Sequence, residues 1–304
     1  MRDDTPSRTA AWVAAARQLG RLLPEDVRIA DDPYGAAFTS LSLARMIEDA
    51  AGGGLGGIRG PVAKLPGVSR WILYMQVRTR VIDDIVRAFV AGGGTQLVLL
   101  GAGYDCRALR LLELRRRPNG RVFEIDHPAT QGHKRRVLER LDVESPSTYV
   151  TWDFETMPTD DLPHALADAG HDPHAPSLTI WEGVTMYLTE PAIDASLRAI
   201  ATWSAPGSQL AMTYFAKSRI AKPSWTTRAI AAVVSRVGEP WKFGWSPHEL
   251  PGYLGDRGLE LVDDIALSDA ARDLLPPSLA RQVDDGDRRV VLAAAPESIA
   301  VAHR

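Results

Sequence analysis

TQLVLLGAGYDCR, residues 95–107, is the stretch on which the reading of this chain turns. Its first part, residues 95–100, is a continuous apolar run. A parallel strand covered by helices on both faces reads this way, because no position along it meets water. Gly101-Ala102-Gly103 then ends the run, and a helical stretch is predicted over 107–116. Glycines let a backbone turn tightly and approach a ligand, and a helix N-terminus offers it free N–H groups. Ligands of open α/β sheets bind outside such strand ends.

Working outward, the same texture repeats. Apolar runs at 121–125 (RVFEI), 149–152 (YVTW), 177–181 (SLTIW) and 209–214 (QLAMTY) predict further strands, and 259–263 and 289–294 predict two more. Helical stretches, for example 133–141 and 192–204, separate them. Strands alternating with helices imply right-handed crossovers. The expected fold is α/β and Rossmann-like, a mostly parallel seven-stranded sheet with helices on both faces.

The first third of the chain has a different character. Trp12, Val13, Ala16, Leu19 and Leu23 recur at helical spacing, with Ser7 or Thr9 as the cap. Further helices are expected over 40–51 and 71–90, with a loose glycine-rich break at 52–57. A segment rich in Trp225, Trp241, Phe243 and Trp245 is inserted after the fifth strand. Ser246-Pro247-His248-Glu249 then predicts a helix start, with Ser246 as N-cap, Pro247 first in the helix and Glu249 as its capping-box partner. The organisation expected is one domain over 1–304: an N-terminal helical lid (1–91), a ligand-binding core (92–215), a lid or acceptor insertion (216–248) and returning C-terminal strands (249–304).

Cys106 is the only cysteine of 304 residues, which excludes an intrachain disulfide framework and a cysteine-based zinc cluster. A formal net charge of −3 gives no strong field toward nucleic acid or an anionic membrane. Arg115-Arg116-Arg117 reads as a solvated helix end. No apolar run approaches the ~20 residues of a membrane span, and Met1-Arg2-Asp3-Asp4-Thr5-Pro6 lacks a signal-peptide core. A cytoplasmic protein is expected.

The acids are placed tellingly. The second strand ends in Asp126, the third in Asp153-Phe154, the fourth in Glu182-Gly183, with Tyr187 five residues on. One such acid could merely cap a following helix. Together, at successive parallel strand ends, they form the rim of a nucleoside site. Asp126 lies ~20 residues past the glycines, where an acid can bond ribose hydroxyls. The dinucleotide fingerprint expects a third small residue at 106, followed by helix; Cys106-Arg107 departs from it and weakens a nicotinamide or flavin reading.

These blocks, in this order, resemble the leucine carboxyl methyltransferase family, and within it the bacterial S-adenosylmethionine-dependent branch. The likeness rests on Asp32-Pro33, Arg78-Thr79-Arg80 with Asp83-Asp84, residues 100–107, residues 123–128 with Lys134, Asp153-Phe154, and residues 181–188. It covers nearly the whole chain. It implies a class I methyltransferase with S-adenosyl-L-methionine as cofactor. It implies that Arg78 clamps the methionine carboxylate, with Arg80 as the alternative if the register slips. Gly101, Ala102 and Gly103 would lie against methionine and ribose, and Asp126 would hold the ribose. Asp153 would accept from the adenine amino group, with the Phe154 backbone at the ring, and Glu182 would sit near the methionine amino group. The family often has Thr or Ser at Cys106, and Leu at Phe154 and Thr185; nothing in these departures identifies the acceptor.

Methyl transfer from a sulfonium is an in-line displacement that needs the nucleophile ~3 Å from the methyl carbon. A carboxylate is ionised at neutral pH and needs no base, whereas a phenol, with a pKa near 10, gains from one. No histidine stands out as that base: those at 164, 171, 174 and 303 lie in polar or terminal segments, and His248 belongs to a helix start. The expectation is O-methylation of a small-molecule carboxylate or hydroxyl, polyketide-like, with Tyr187 and Tyr214 as acceptor-positioning residues. The insertion's aromatics either line an apolar acceptor pocket or pack as core. No metal, nucleic acid or membrane partner is expected, and the chain is expected to act as a monomer or homodimer. Protein C-terminal carboxyl methylation, a noncatalytic nucleoside-binding module and a dehydrogenase are the alternatives.

Overall fold

The computed structural model describes residues 6–39, 68–221, 241–283 and 286–296. Seven strands form one sheet: β1 (Gln96–Leu100), β2 (Arg121–Asp126), β3 (Ser147–Thr151), β4 (Ser177–Trp181), β5 (Gln209–Phe215), β6 (Glu260–Ala266) and β7 (Arg288–Ala294). Their order is β3-β2-β1-β4-β5-β7-β6. β1 pairs in parallel with both β2 and β4. β7 runs antiparallel between β5 and β6. The strand order therefore reverses direction at β1, and the crevice between the ends of β1 and β4 is the switch point at which such sheets bind ligands.

The pleat divides the core in two. Leu97 and Leu99 face α2 (Val68–Ala91), among Ile72, Leu73, Val77, Ile82 and Val86. Val98 and Leu100 face the other way, toward Ile193, Leu197, Ile200 and Trp203 of α7 (Glu190–Trp203). Each fully buried aliphatic side chain contributes about 1.5–3 kcal/mol. The Trp203 indole N–H is not stranded there; it donates to Thr179 Oγ1 at 3.0 Å. The remaining helices are α1 (Arg8–Leu19), α3 (Arg107–Arg110), α4 (Leu112–Arg115), α5 (Pro128–Arg140), α6 (Leu162–Asp168), α8 (Lys217–Ala221), α9 (Leu250–Gly255), α10 (Leu267–Leu274) and α11 (Pro277–Ala280).

The strands begin and end within three residues of where the apolar runs place them, and so do the helices expected over 71–90 and 192–204, while the first helix stops at Leu19, short of Leu23. Three local readings are corrected. The helix predicted over 107–116 is two short helices, interrupted at Leu111, whose φ of −88° and ψ of 105° are extended. α5 starts five residues early, because His127 Nδ1 accepts from the Ala129 N–H and Pro128 supplies a preset first residue. α9 starts at Leu250, not at Pro247. The Ser246 N–H does donate to Glu249 Oε2 at 3.1 Å, so half of the capping box exists, but it closes a turn. The helix predicted over 40–51, the glycine run 52–57, Trp225 and His303 lie outside the described residues. Among the described residues no helix is long and apolar enough to cross a membrane.

One buried ion pair ties the first half of the sheet together. Lys134 Nζ of α5 donates to Glu124 Oε2 on β2 at 2.6 Å and to the Asp105 carbonyl of the glycine loop. The Ser147 hydroxyl on β3 donates to the other Glu124 oxygen at 2.8 Å. Burial would lower the lysine's pKa, but Glu124 outweighs it and raises the group above its ordinary value. Removing one partner of such a pair strands the other. Lys134→Ala is therefore expected to lose about 3–5 kcal/mol in urea denaturation, and Lys134→Met with Glu124→Leu to recover most of it. A single variant as stable as the parent would refute the structural role.

Candidate active site

A cavity of about 930 Å³ opens at the carboxyl ends of β1, β2 and β4. Its floor is the loop after β1. The Gly101 and Ala102 N–H groups both donate to the Ile125 carbonyl, at 2.9 and 3.1 Å, which pins the loop to β2. Gly101 and Gly103 have φ of +69° and +52°, in the left-handed region that side chains resist. A Cβ on Gly101 would stand 2.8 Å from Val184 Cγ2, and one on Gly103 3.2 Å from Ala10 Cβ. The loop is thus pressed between the turn after β4 and α1. α1 forms the roof, presenting Thr9, Ala10, Val13 and Arg17 from one face.

At one end lie the acids of β2 and β3. Asp126 closes β2; its carboxylate accepts from the Gly103 N–H and, at 2.6 Å, from the His127 N–H. Burial pushes its pKa up to about 6 against those two N–H groups. Asp153 lies two residues past β3. It accepts from the Glu155 N–H at 2.9 Å and the Thr156 hydroxyl at 2.8 Å. These bonds hold its pKa below the usual carboxylate range. Phe154 beside it is 37% exposed, and its ring is open to the cavity.

The middle of the cavity is ionic. Glu182, first after β4, is gripped by arginines from three elements. Oε1 takes Arg17 Nη2 of α1 at 2.9 Å and Arg78 Nε of α2 at 2.7 Å; Oε2 takes Arg107 Nη1 of α3 at 2.6 Å. Burial alone would raise this carboxyl, but Arg107, Arg17 and Arg78 outweigh it and hold it well below the ordinary range. Asp105 and Asp83 complete the network through Arg107, and Arg110 also reaches Asp83. Four buried guanidinium nitrogens of this network, Arg17 Nε, Arg78 Nε, Arg107 Nη2 and Arg110 Nε, find no hydrogen-bond acceptor among the described residues, and of these only Arg17 and Arg78 line the cavity. Arg78 Nε is near Glu182 but not aimed at it.

The structure therefore brings Arg78, Gly101, Ala102, Gly103, Asp126, Asp153, Phe154, Glu182 and Tyr187 to one cavity. Arg80 is elsewhere, paired with Asp84 at 2.7 Å on the outer side of α2. Tyr214 must be corrected. Thr213 faces the site, accepting the Gly183 N–H at 2.7 Å, so the next residue on the strand points to the opposite face. The Tyr214 ring packs edge-on against Trp245 and its hydroxyl donates to Asp264 at 2.8 Å. Trp241, Phe243 and Trp245 are likewise packing groups: Trp241 meets Phe215 edge-on, Trp245 meets Tyr214 and Phe243 edge-on, and none of the three lines the cavity. Sequence reasoning missed Arg17, His127 and Lys242, which all line the cavity. Arg17 left a signal: it is a cation set directly after the alanine run 14–16 of α1. A second hollow of about 920 Å³ lies at the opposite ends of the strands, lined by Asp84, Asp263, Asp269 and Asp273, and holds none of the expected residues.

Residues 10–201 match the leucine carboxyl methyltransferase family. The chain belongs to that family. Its relatives include a Frankia alni protein assigned, with no acceptor named, to the S-adenosyl-L-methionine-dependent methyltransferases; it is 33% identical over 86% of both chains. A Streptomyces coelicolor protein assigned likewise is 33% identical over 71% of this chain and 73% of its own. By fold, a crystal structure of a Thermobifida fusca protein superposes with a TM-score of 0.58 at 20% identity, covering 97% of each chain. A Streptomyces avermitilis structure gives 0.58 at 15% identity over 93% of this chain and 97% of that one. This family member is an S-adenosyl-L-methionine-dependent methyltransferase with the class I sheet, β7 antiparallel.

Asp126 makes a pH prediction. A carboxyl whose folded pKa is raised favours the folded state below its unfolded pKa and loses that advantage as pH rises through the folded value. Relative to Asp126→Asn, the parent is expected to lose stability between pH ~4 and about 6. Urea denaturation of both proteins across that range measures it, and a constant difference would contradict the raised pKa.

Proposed function

We propose that this chain transfers a methyl group from S-adenosylmethionine to an oxygen of a small, largely apolar acceptor, a carboxylate or a hydroxyl. The observation that carries the reading is the division of one cavity into an acidic end, an ionic middle and an apolar end. The residues fit the cofactor on structural grounds. A narrow glycine cradle lies under α1, and two buried guanidinium groups that line the cavity, Arg17 and Arg78, each keep an Nε–H without a hydrogen-bond acceptor, as a methionine carboxylate would supply. When bound, the cofactor supplies an electrophilic methyl carbon on a sulfonium.

The chain's own residues do the rest. Arg78 would take the carboxylate, for which a guanidinium offers paired donors. Glu182 stays ionised and faces the amino group. Asp126 would accept from the ribose hydroxyls while the Gly103 and His127 N–H groups hold it in place. Asp153 and Phe154 would meet the adenine. α1 closes the roof and excludes water, and holding the acceptor in line can supply ~7–11 kcal/mol of barrier reduction. Beyond the methionine end, Val184, Tyr187, Leu188 and Ala192 offer an apolar wall without an acid or histidine. That supports an acceptor already ionised or readily so, and leaves Tyr187 to position it.

Calorimetric titration with S-adenosylmethionine and S-adenosylhomocysteine, with NAD as control, is expected to show saturable micromolar binding of the two sulfur nucleosides alone. Asp126→Ala should weaken both by at least tenfold, through loss of two hydroxyl partners. Because the ionised carboxylate is the acceptor, affinity in the parent should also fall as pH drops through about 6. An unchanged dissociation constant in the variant would remove Asp126 from the site, and NAD binding in place of the sulfur nucleosides would remove the proposal.

A further inference from the structure

Behind one of the two arginines that face the cavity stands a tyrosine that does not reach it. Tyr74 and Arg78 are one turn apart on α2, so their side chains share a face of the helix. Both are buried, and of the two only Arg78 lines the cavity. Arg78 Nη1 donates to the Tyr74 hydroxyl at 3.4 Å, and the Arg78 Cζ lies 5.5 Å from the centroid of the ring. Arg288, the first residue of β7, sets its own Cζ 4.2 Å from the same centroid. A guanidinium within ~6 Å of a ring centroid is attracted to it, so the ring is held from β7 as well as from α2. The nitrogen that Tyr74 takes matters. Nη1 is cis to Cδ, whereas Nε–H and Nη2 point together to the other side and form the fork that fits both oxygens of a carboxylate. The tyrosine thus occupies the arm that the fork does not use. Glu182 competes for the fork: Arg78 Nε stands 2.7 Å from Glu182 Oε1, yet its N–H is not aimed there and has no acceptor among the described residues.

We infer that Tyr74 is the positioning residue of the cofactor clamp: its hydroxyl holds the Arg78 guanidinium so that the fork meets the methionine carboxylate and is not drawn onto Glu182. This rests on the methyltransferase reading above. Glu182 does not need Arg78 to be satisfied, because Arg17 Nη2 donates to its Oε1 at 2.9 Å and Arg107 Nη1 to its Oε2 at 2.6 Å. Arg78 is therefore the arginine of the three that can be spared for a ligand, provided that something keeps it from turning to the anion beside it. The two contacts with Tyr74 divide that task. The attraction of the cation to the ring is broad in angle and fixes where the guanidinium lies. The hydrogen bond is directional and fixes how its plane is turned. Without the hydroxyl, Nη1 loses its acceptor, and the nearest anion to which the guanidinium can turn is Glu182, which removes the fork from the ligand.

The probes are S-adenosylhomocysteine and S-adenosyl-3-thiopropylamine, which differ only in the carboxylate, each titrated calorimetrically into the full chain. The parent is expected to favour S-adenosylhomocysteine roughly a hundredfold, since the amine forfeits the charge-assisted pair. Tyr74→Phe keeps the ring and its contact with Arg288 and removes only the hydroxyl. It should cut that preference roughly tenfold, by weakening S-adenosylhomocysteine while the amine binds as before. A residue that merely supported the fold would move both ligands together, so the amine is also the control for folding. In an Arg78→Ala background Tyr74→Phe should change neither affinity, because the hydroxyl acts only through Arg78. An unchanged preference in Tyr74→Phe, an equal weakening of both ligands, or a full Tyr74→Phe effect in the absence of Arg78 overturns the inference. Failure of S-adenosylhomocysteine to bind the parent in the first place would instead strike at the methyltransferase reading, so the two failures are distinguishable.

Discussion

Everything at the cavity depends on Glu182 being an anion in a place that disfavours anions. It sits at the end of a strand buried on both faces, and taking a carboxylate out of water is expensive unless it is paired and hydrogen-bonded. The chain meets that requirement with arginines from α1, α2 and α3. Each of these elements comes from a different part of the sequence, so one carboxylate fixes three separate pieces of backbone around one point. The N-terminal roof is held to the floor of the site by Arg17, not only by apolar contact.

The same network shapes what the cavity can take. Its positive and negative charges nearly cancel, yet several guanidinium donors lack acceptors. A site of this kind suits a ligand that is itself zwitterionic, with a carboxylate to complete the arginines and a cationic group near Glu182. At the strand ends on either side, charge is arranged differently. Asp126 and Asp153 are held by N–H and hydroxyl donors and keep lone pairs for a ribose or a base edge. Among the described residues the far end is lined by Val184, Tyr187, Leu188 and Ala192. The chemistry of the reaction is compatible with such a division, because methyl transfer needs placement and dryness more than proton transfer.

Support for this arrangement comes from behind the site. Lys134 and Glu124 join α5, β2, β3 and the glycine loop, and the aromatic cluster of Tyr214, Phe243, Trp245 and Tyr253 braces the segment that presents Lys242. Groups that look functional by type, such as Tyr214 and the tryptophans, are thereby spent on packing. Small differences of direction decide this: Thr213 faces the site and Tyr214, one residue later, cannot.

By itself the sequence determined the sheet, its parallel character and the strand ends that hold the site. Apolar runs of strand length leave no ambiguity when helices separate them, and the acids Asp126, Asp153 and Glu182 mark the ends of those runs. Glycine at 101 and 103 was legible for the same reason, since only glycine takes those dihedrals without strain. Tertiary structure alone decided which charges meet. That Arg17, Arg78 and Arg107 converge on Glu182 depends on how α1 and α2 pack, and sequence separation carries no information about distance across a fold. It also decided the role of Tyr214, because the side a residue faces in a strand buried on both faces is set by its neighbours' packing, not by its own polarity.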